Sequence, residues 1–207
     1  MPNLADKIMK RVRGHGRGNW VCRPKDFLDL GTRAAVDQAL SRLVNRQVLR
    51  RVDRGLYDWP RQSAVLKRPV SPKIDAVVDA IARRYGIRVM PDPLVAAHGL
   101  GLTDAVPAKI SYLTDGRSRT LKLGGRTVRL RHAPRDLMAW SDRPAGDALL
   151  ALDWLRKAAV SDPRVADILH ARLSDDAKKD LQKDPRRLPT WAIPMVDDVV
   201  SQGRAAA

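Results

Sequence analysis

Apolar residues recur along the chain first at helical and then at alternating spacing. In LADKIMKRV, Leu4, Ile8 and Val12 fall at i, i+4 and i+8 with Ala5 and Met9 beside them, which predicts a short helix with one buried stripe. GHGRGN ends it, and Trp20, Val21 and Cys22 read as a short extended piece. Pro24 suits the first turn of a second short helix, PKDFLDL, because its missing N–H has no helical partner there; Gly31 closes that helix. Thr32 then offers a hydroxyl to an orphan N–H of a third helix running to about Arg46. Val36, Ala39, Leu40, Leu43 and Val44 form its buried stripe, Ala34, Gln38, Ser41 and Asn45 lie opposite, and Arg33, Asp37 and Arg42 sit on the flanks.

Two β-prone runs follow, Val48–Val52 and Leu56–Trp59, joined at Asp53, Arg54 and Gly55. Gly55 can supply the positive φ that a tight loop needs, so the segment reads as a hairpin carrying Arg50, Arg51 and Arg54. Helix, strand, helix, turn, helix and hairpin in that order describe a winged helix-turn-helix over residues 1–60. Residues 61–73 lack either periodicity and are rich in Pro and Ser, which suits a linker.

Residues 74–207 read as a second, α+β domain. Ile74, Val77, Val78, Ile81 and Ala82 mark a helix closed by Gly86, IRVMP reads as a strand, and PLVAAHGLGL as a small helix. KISYLTD, RTLKLGG and RTVRLRHA alternate as strands, the last two joined at Gly124 and Gly125. After Pro134 the pattern turns helical in RDLMAW, AGDALLALDWLRKAAV, PRVADILHARLS and DAKKDLQKD, and QGRAAA reads as a frayed tail. The expected fold class is therefore α+β: an N-terminal winged helix-turn-helix, then a small sheet with a helical C-terminal end.

Charge sharpens this picture. The 207 residues carry 39 Lys and Arg against 23 acids, a net charge of +16, and every acid is Asp. Residues 1–60 hold +7, residues 61–140 hold +9, and residues 141–207 balance to zero, so the excess belongs to the first two thirds. Such an excess concentrates polyanions, which makes nucleic acid the first partner to consider and an anionic membrane surface the second. Arg outnumbers Lys 28 to 11, and a composition that simply favours Arg is the bland alternative. No apolar run approaches the roughly 18 residues of a bilayer span, and the N-terminus lacks the apolar stretch of a secretory signal. The single Cys22 permits no internal disulfide, which fits a reducing compartment; the expected location is the cytoplasm, with no membrane partner.

A major groove about 12 Å wide admits one helix, and the side chains near its N-terminus reach base edges. Thr32, Arg33, Ala34, Asp37, Gln38 and Ser41 occupy those positions. Arg33 can bond guanine bidentately, Gln38 can bond adenine, and Ala34 can touch a thymine methyl. Asp37 is repelled by phosphate unless it accepts from cytosine or orients an arginine. Arg42 can pair with an Asp or lie along a phosphate, and Arg50, Arg51 and Arg54 can flank the backbone or enter the minor groove. A solvated helix face and a solvated hairpin are the alternatives. Arg11, Arg13 and Arg17 near the end of the first helix can equally complement its dipole.

Catalytic signals are weaker. His15, His98, His132 and His170 stand in no metal-ligand spacing, and Asp175 and Asp176 lie beside no phosphate-binding loop. No cofactor is expected and no enzymatic activity is assigned. The aromatic residues are few for RNA stacking, with Trp20, Tyr57 and Trp59 better explained as core, so double-stranded DNA is preferred over RNA.

The run VCRPKDFLDLGTRAAVDQALSRLVNRQVLRRVDRGLYDWP resembles the N-terminal winged helix of AbiEi-like antitoxins of type IV toxin–antitoxin systems. AHGLGLTDAVPAKISYLTDGRSRTLKLGGRTVRLRHAPRD resembles the start of the C-terminal antitoxin domain of the same group. The resemblance implies an autorepressor that binds operator repeats and is encoded beside a nucleotidyltransferase-like toxin, which it counters without a stable complex. Two copies on DNA would suit repeat operators. A protein-contact antitoxin with vestigial DNA binding is the alternative.

Overall fold

The computed structural model describes residues 3–65, 67–123, 125–156 and 162–201. It is an α+β protein with two small sheets, and its chain divides into two compact units, Met1–Ile87 with Lys122–Arg126, and Arg88–Leu121 with Thr127–Ala207.

The first unit opens with α1, Leu4–Gly14, which begins at a reciprocal cap: the Asn3 side chain accepts from the Asp6 N–H while Asp6 accepts from the Asn3 N–H. Ile8, Met9 and Val12 are its buried side chains, as their spacing predicts. The expected second helix is instead a single 3-10 turn, Pro24–Phe27. Asp26 folds back onto the Arg23 N–H, Asp29 is drawn to Arg11 of α1, and Leu28 is left exposed, while Pro24 and Phe27 are buried and Leu30 packs against the core. Helix α2, Arg33–Asn45, starts on the Thr32 hydroxyl, which accepts from the Ala35 N–H, and buries Val36, Ala39, Leu40 and Leu43.

Strands β2, Arg50–Asp53, and β3, Leu56–Asp58, form the expected hairpin, with Gly55 at φ +70° in its turn. Strand β1, Val21–Cys22, adds antiparallel to β3, giving the order β1-β3-β2. The core below this sheet joins α1 and α2 through Ile8, Val12, Phe27, Val36, Leu40, Leu43 and Leu49. Residues 61–70 are closed by backbone hydrogen bonds between Arg61 and Val70 and between Ser63 and Arg68. Helix α3, Ile74–Tyr85, packs on β1 and ends at Gly86 in the left-handed conformation.

After α3 come β4, Val89–Pro91, and α4, Pro93–Gly99, followed by β5, Ile110–Thr114, β6, Arg119–Leu123, and β7, Arg126–His132; all of these belong to the second unit except Lys122, Leu123 and Arg126. The sheet order is β4-β5-β7-β6, with β5 and β7 parallel. Then come α5, Arg135–Met138; α6, Gly146–Leu155; α7, Pro163–Arg172; and α8, Asp175–Lys183. No element was assigned to residues 185–201, and α9, Ile193–Ser201, forms there and buries Met195, Val196 and Val199 against α7 and α8. Trp140, Leu149, Leu150, Leu152 and Leu169 lie at the centre of this core. Gly124 of the expected glycine turn, residues 157–160 of the expected helical run, and the QGRAAA tail lie outside the described residues.

Candidate nucleic-acid interface

Helix α2 places its apolar stripe in the core, so its opposite side is turned to solvent. Thr32, Arg33, Ala34, Gln38, Ser41 and Arg42 are all exposed, and Asp37 is half-buried. Arg33 Nε donates to Asp37 Oδ2 at 2.8 Å, one helical turn apart. The carboxylate thus orients the arginine while leaving its two terminal nitrogens without a described partner, so Arg33 can still approach a base edge as a fork. Arg42 has no carboxylate within ion-pairing distance among the described residues, and with Gln38 and Arg46 it lines a groove of about 320 Å³ that runs to Asn3 and Leu4 of α1.

The three hairpin arginines do not share one environment. Arg51 and Arg54 are exposed. Arg50 is committed within the protein: its Nε donates to Asp58 Oδ1 at 3.0 Å, and its Nη2 donates to Asp58 Oδ2 at 2.6 Å and to the Val70 carbonyl at 2.9 Å. Asp58 itself has no exposed surface. Arg50 therefore ties β2 to β3 and to the closed loop after the hairpin.

Near α1, Arg11 is likewise occupied, bridging bidentately to Asp29 and to the Asp26 carbonyl, which leaves Asp29 held below the usual carboxylate range by that donor pair. Arg17 lies over the Trp59 ring at 4.5 Å. Trp20, packed on the core, stacks on His15 with ring centroids 4.1 Å apart.

Arg83 and Arg84, the basic pair that closes α3, are functional candidates that the sequence reading did not name. Arg83 donates to Asp26 Oδ2 at 3.0 Å and to the Val21 carbonyl at 2.8 Å, fastening α3 to the segment that leads into α2. Arg84 Nη1 donates to the Arg54 carbonyl at 2.9 Å and so braces the hairpin turn. For Asp26, burial acts to raise the pKa, but hydrogen bonds from Arg23 and the charges of Arg23 and Arg83 outweigh it and hold the carboxyl below its ordinary range. Burial, with Asp26 nearby, pushes the Cys22 thiol up to about 12, so that sulfur is a buried thiol rather than a nucleophile.

The other candidates are dispersed. His132 Nδ1 lies 3.0 Å from the Gly116 carbonyl and His170 Nδ1 lies 2.7 Å from the Val199 carbonyl, while Asp175 and Asp176 occupy the first turn of α8. Among the described residues no three His, Cys, Asp or Glu side chains gather as a metal site, and no helix is long and apolar enough to cross a membrane.

Fold and surface together define an α+β protein that presents one polar helix face beside a cationic hairpin. The chain belongs to a family of unknown function, DUF6088, whose match spans residues 7–181. Comparison with curated proteins and with solved structures returns no match.

Proposed function

We propose that residues 1–60 are a winged helix-turn-helix and that the protein is a sequence-specific, double-stranded-DNA-binding autorepressor, the antitoxin of a type IV toxin–antitoxin system. The observation that carries the DNA-binding part is the outward side of α2: Arg33, Ala34, Gln38, Ser41 and Arg42 face solvent while the other side of the same helix is core. In this reading the 3-10 turn Pro24–Phe27 stands in the place of the motif's first helix, the Gly31 segment before α2 serves as the turn, and the β2–β3 hairpin serves as the wing. The antitoxin assignment is supported by the sequence resemblance, and its toxin partner would be a nucleotidyltransferase-like protein opposed in function.

In this reading Arg33 and Gln38 read base edges, with Arg33 steadied by Asp37, while Arg42, Arg51 and Arg54 meet phosphates. Arg50 serves the site by fixing the hairpin, since its guanidinium is already engaged with Asp58 and Val70. Arg33→Ala and Gln38→Ala should each relax base preference by about 1–3 kcal/mol, whereas Arg54→Ala should weaken every duplex alike and lower the salt slope by about one. Gel shifts on the DNA upstream of the gene and on random duplex, at two salt concentrations, decide this. Equal losses on both duplexes for Gln38→Ala would refute its base-reading role.

A further inference from the structure

Four elements that are distant in sequence bring cations to one cleft within the first unit. Its lining is Arg23, which caps the 3-10 turn, Pro24 and Lys25 from that turn, Arg33 from the start of α2, Arg54 and Gly55 from the hairpin turn, and Arg84 from the end of α3. Five of these seven residues are basic and none is acidic. Two of the five are compensated nearby, Arg23 by Asp26 at 2.6 Å and Arg33 by Asp37 at 2.8 Å. Lys25, Arg54 and Arg84 have no carboxylate within ion-pairing distance among the described residues, and all three are exposed.

Like charges drawn into one concavity repel one another, and the cost is recovered when an anion enters. The cleft holds about 230 Å³, room for several waters at about 30 Å³ each and therefore for a phosphodiester group. The hydrogen bond from Arg84 Nη1 to the Arg54 carbonyl, 2.9 Å, uses one edge of that guanidinium and fixes the turn against α3.

We infer that this cleft seats one backbone phosphate of bound duplex DNA, gripped by Lys25, Arg54 and Arg84, and so sets how deeply the N-terminal end of α2 sits in the groove. The inference rests on the DNA-binding reading above and adds to it Lys25 and Arg84, neither of which lies on α2 or on the hairpin. A phosphate held here anchors Arg33, which lines the same cleft, at the point where its free nitrogens meet a base.

Ethylation interference with the full chain on the upstream duplex tests this, read beside salt titrations of Lys25→Gln, Arg84→Gln and Arg84→Lys. Wild type should show a phosphate whose ethylation blocks binding, and that interference should vanish in Lys25→Gln. Between 50 and 200 mM salt each lost contact should remove a factor of about 3.5 from the fall in affinity, equally on operator and random duplex. Arg84→Gln should behave alike, and Arg84→Lys should recover the salt dependence because it keeps the charge. Lys25 is exposed, so Lys25→Gln should melt as wild type does.

A wild-type shift that Lys25→Gln reproduces in both readouts overturns the seat and leaves DNA binding standing. Inorganic phosphate binding to the free chain, lost in Lys25→Gln while duplex binding is unchanged, assigns the cleft to a small phosphate ligand and also overturns it. Wild type that shifts no duplex at 50 mM salt overturns the functional reading and the seat together.

Discussion

Asp58 is enclosed completely, and the fork of Arg50 supplies its charge partner and two of its hydrogen bonds. Arg33 and Asp37 show the contrasting case: that pair is 65% and 46% exposed, so it costs little to form and contributes little to stability, and in the proposed reading its role is to aim a side chain. Removing Arg50 leaves a buried carboxylate uncovered. Arg50→Met should destabilise the protein by about 3 kcal/mol, the lower end of the range for breaking a buried pair because Arg50 keeps some contact with water. Urea unfolding followed by circular dichroism measures it; a loss below about 0.5 kcal/mol would mean that water replaces the guanidinium at no cost. DNA binding by this variant should fall by more than its folded fraction, because the hairpin that carries Arg51 and Arg54 loses its tie to Asp58 and Val70.

At the scale of elements, α2 owes its position to connections on both sides. Its apolar stripe meets α1, and the 3-10 turn before it is tied to α3 through Asp26, which accepts from both Arg23 and Arg83. Since the native Asp26 pKa lies below its unfolded value of about 3.9, Asp26 binds fewer protons in the folded state near that pH. Its contribution is complete above that value and is lost as pH falls through the native one. Asp26→Asn should therefore be less stable than wild type at neutral pH, with the gap in urea midpoint narrowing as pH falls below the unfolded value of about 3.9. A gap that stays constant over this range would show that the side-chain charge is not what holds the turn.

Across the whole molecule, the positive excess is confined to residues 1–140, while residues 141–207 carry equal numbers of both signs. A duplex would therefore meet a field set by the part of the chain that contains α2 and the hairpin. With about six phosphate contacts, affinity should fall on the order of 10³-fold between 50 and 200 mM salt. A fluorescence anisotropy series in that range checks it, and a slope near zero would remove the electrostatic basis of the proposal. Helix α9 belongs to this scale too: Met195, Val196 and Val199 stand at helical spacing, a signal that the sequence reading did not take up, and they find their partners in α7 and α8.

The spacing of Ile8, Met9 and Val12, of Val36, Leu40 and Leu43, and of the runs around Gly55 determined α1, α2 and the hairpin. Burying a continuous apolar stripe is a local demand that period and turn chemistry meet by themselves. The same periodicity determined which side of α2 faces water. The parallel pairing of β5 with β7, the capture of Arg50 by Asp58, and the meeting of Lys25, Arg54 and Arg84 were decided only by tertiary structure. Each joins residues far apart in sequence, and for a charged side chain the choice between water, a buried partner and an open cleft depends on what the rest of the chain brings beside it.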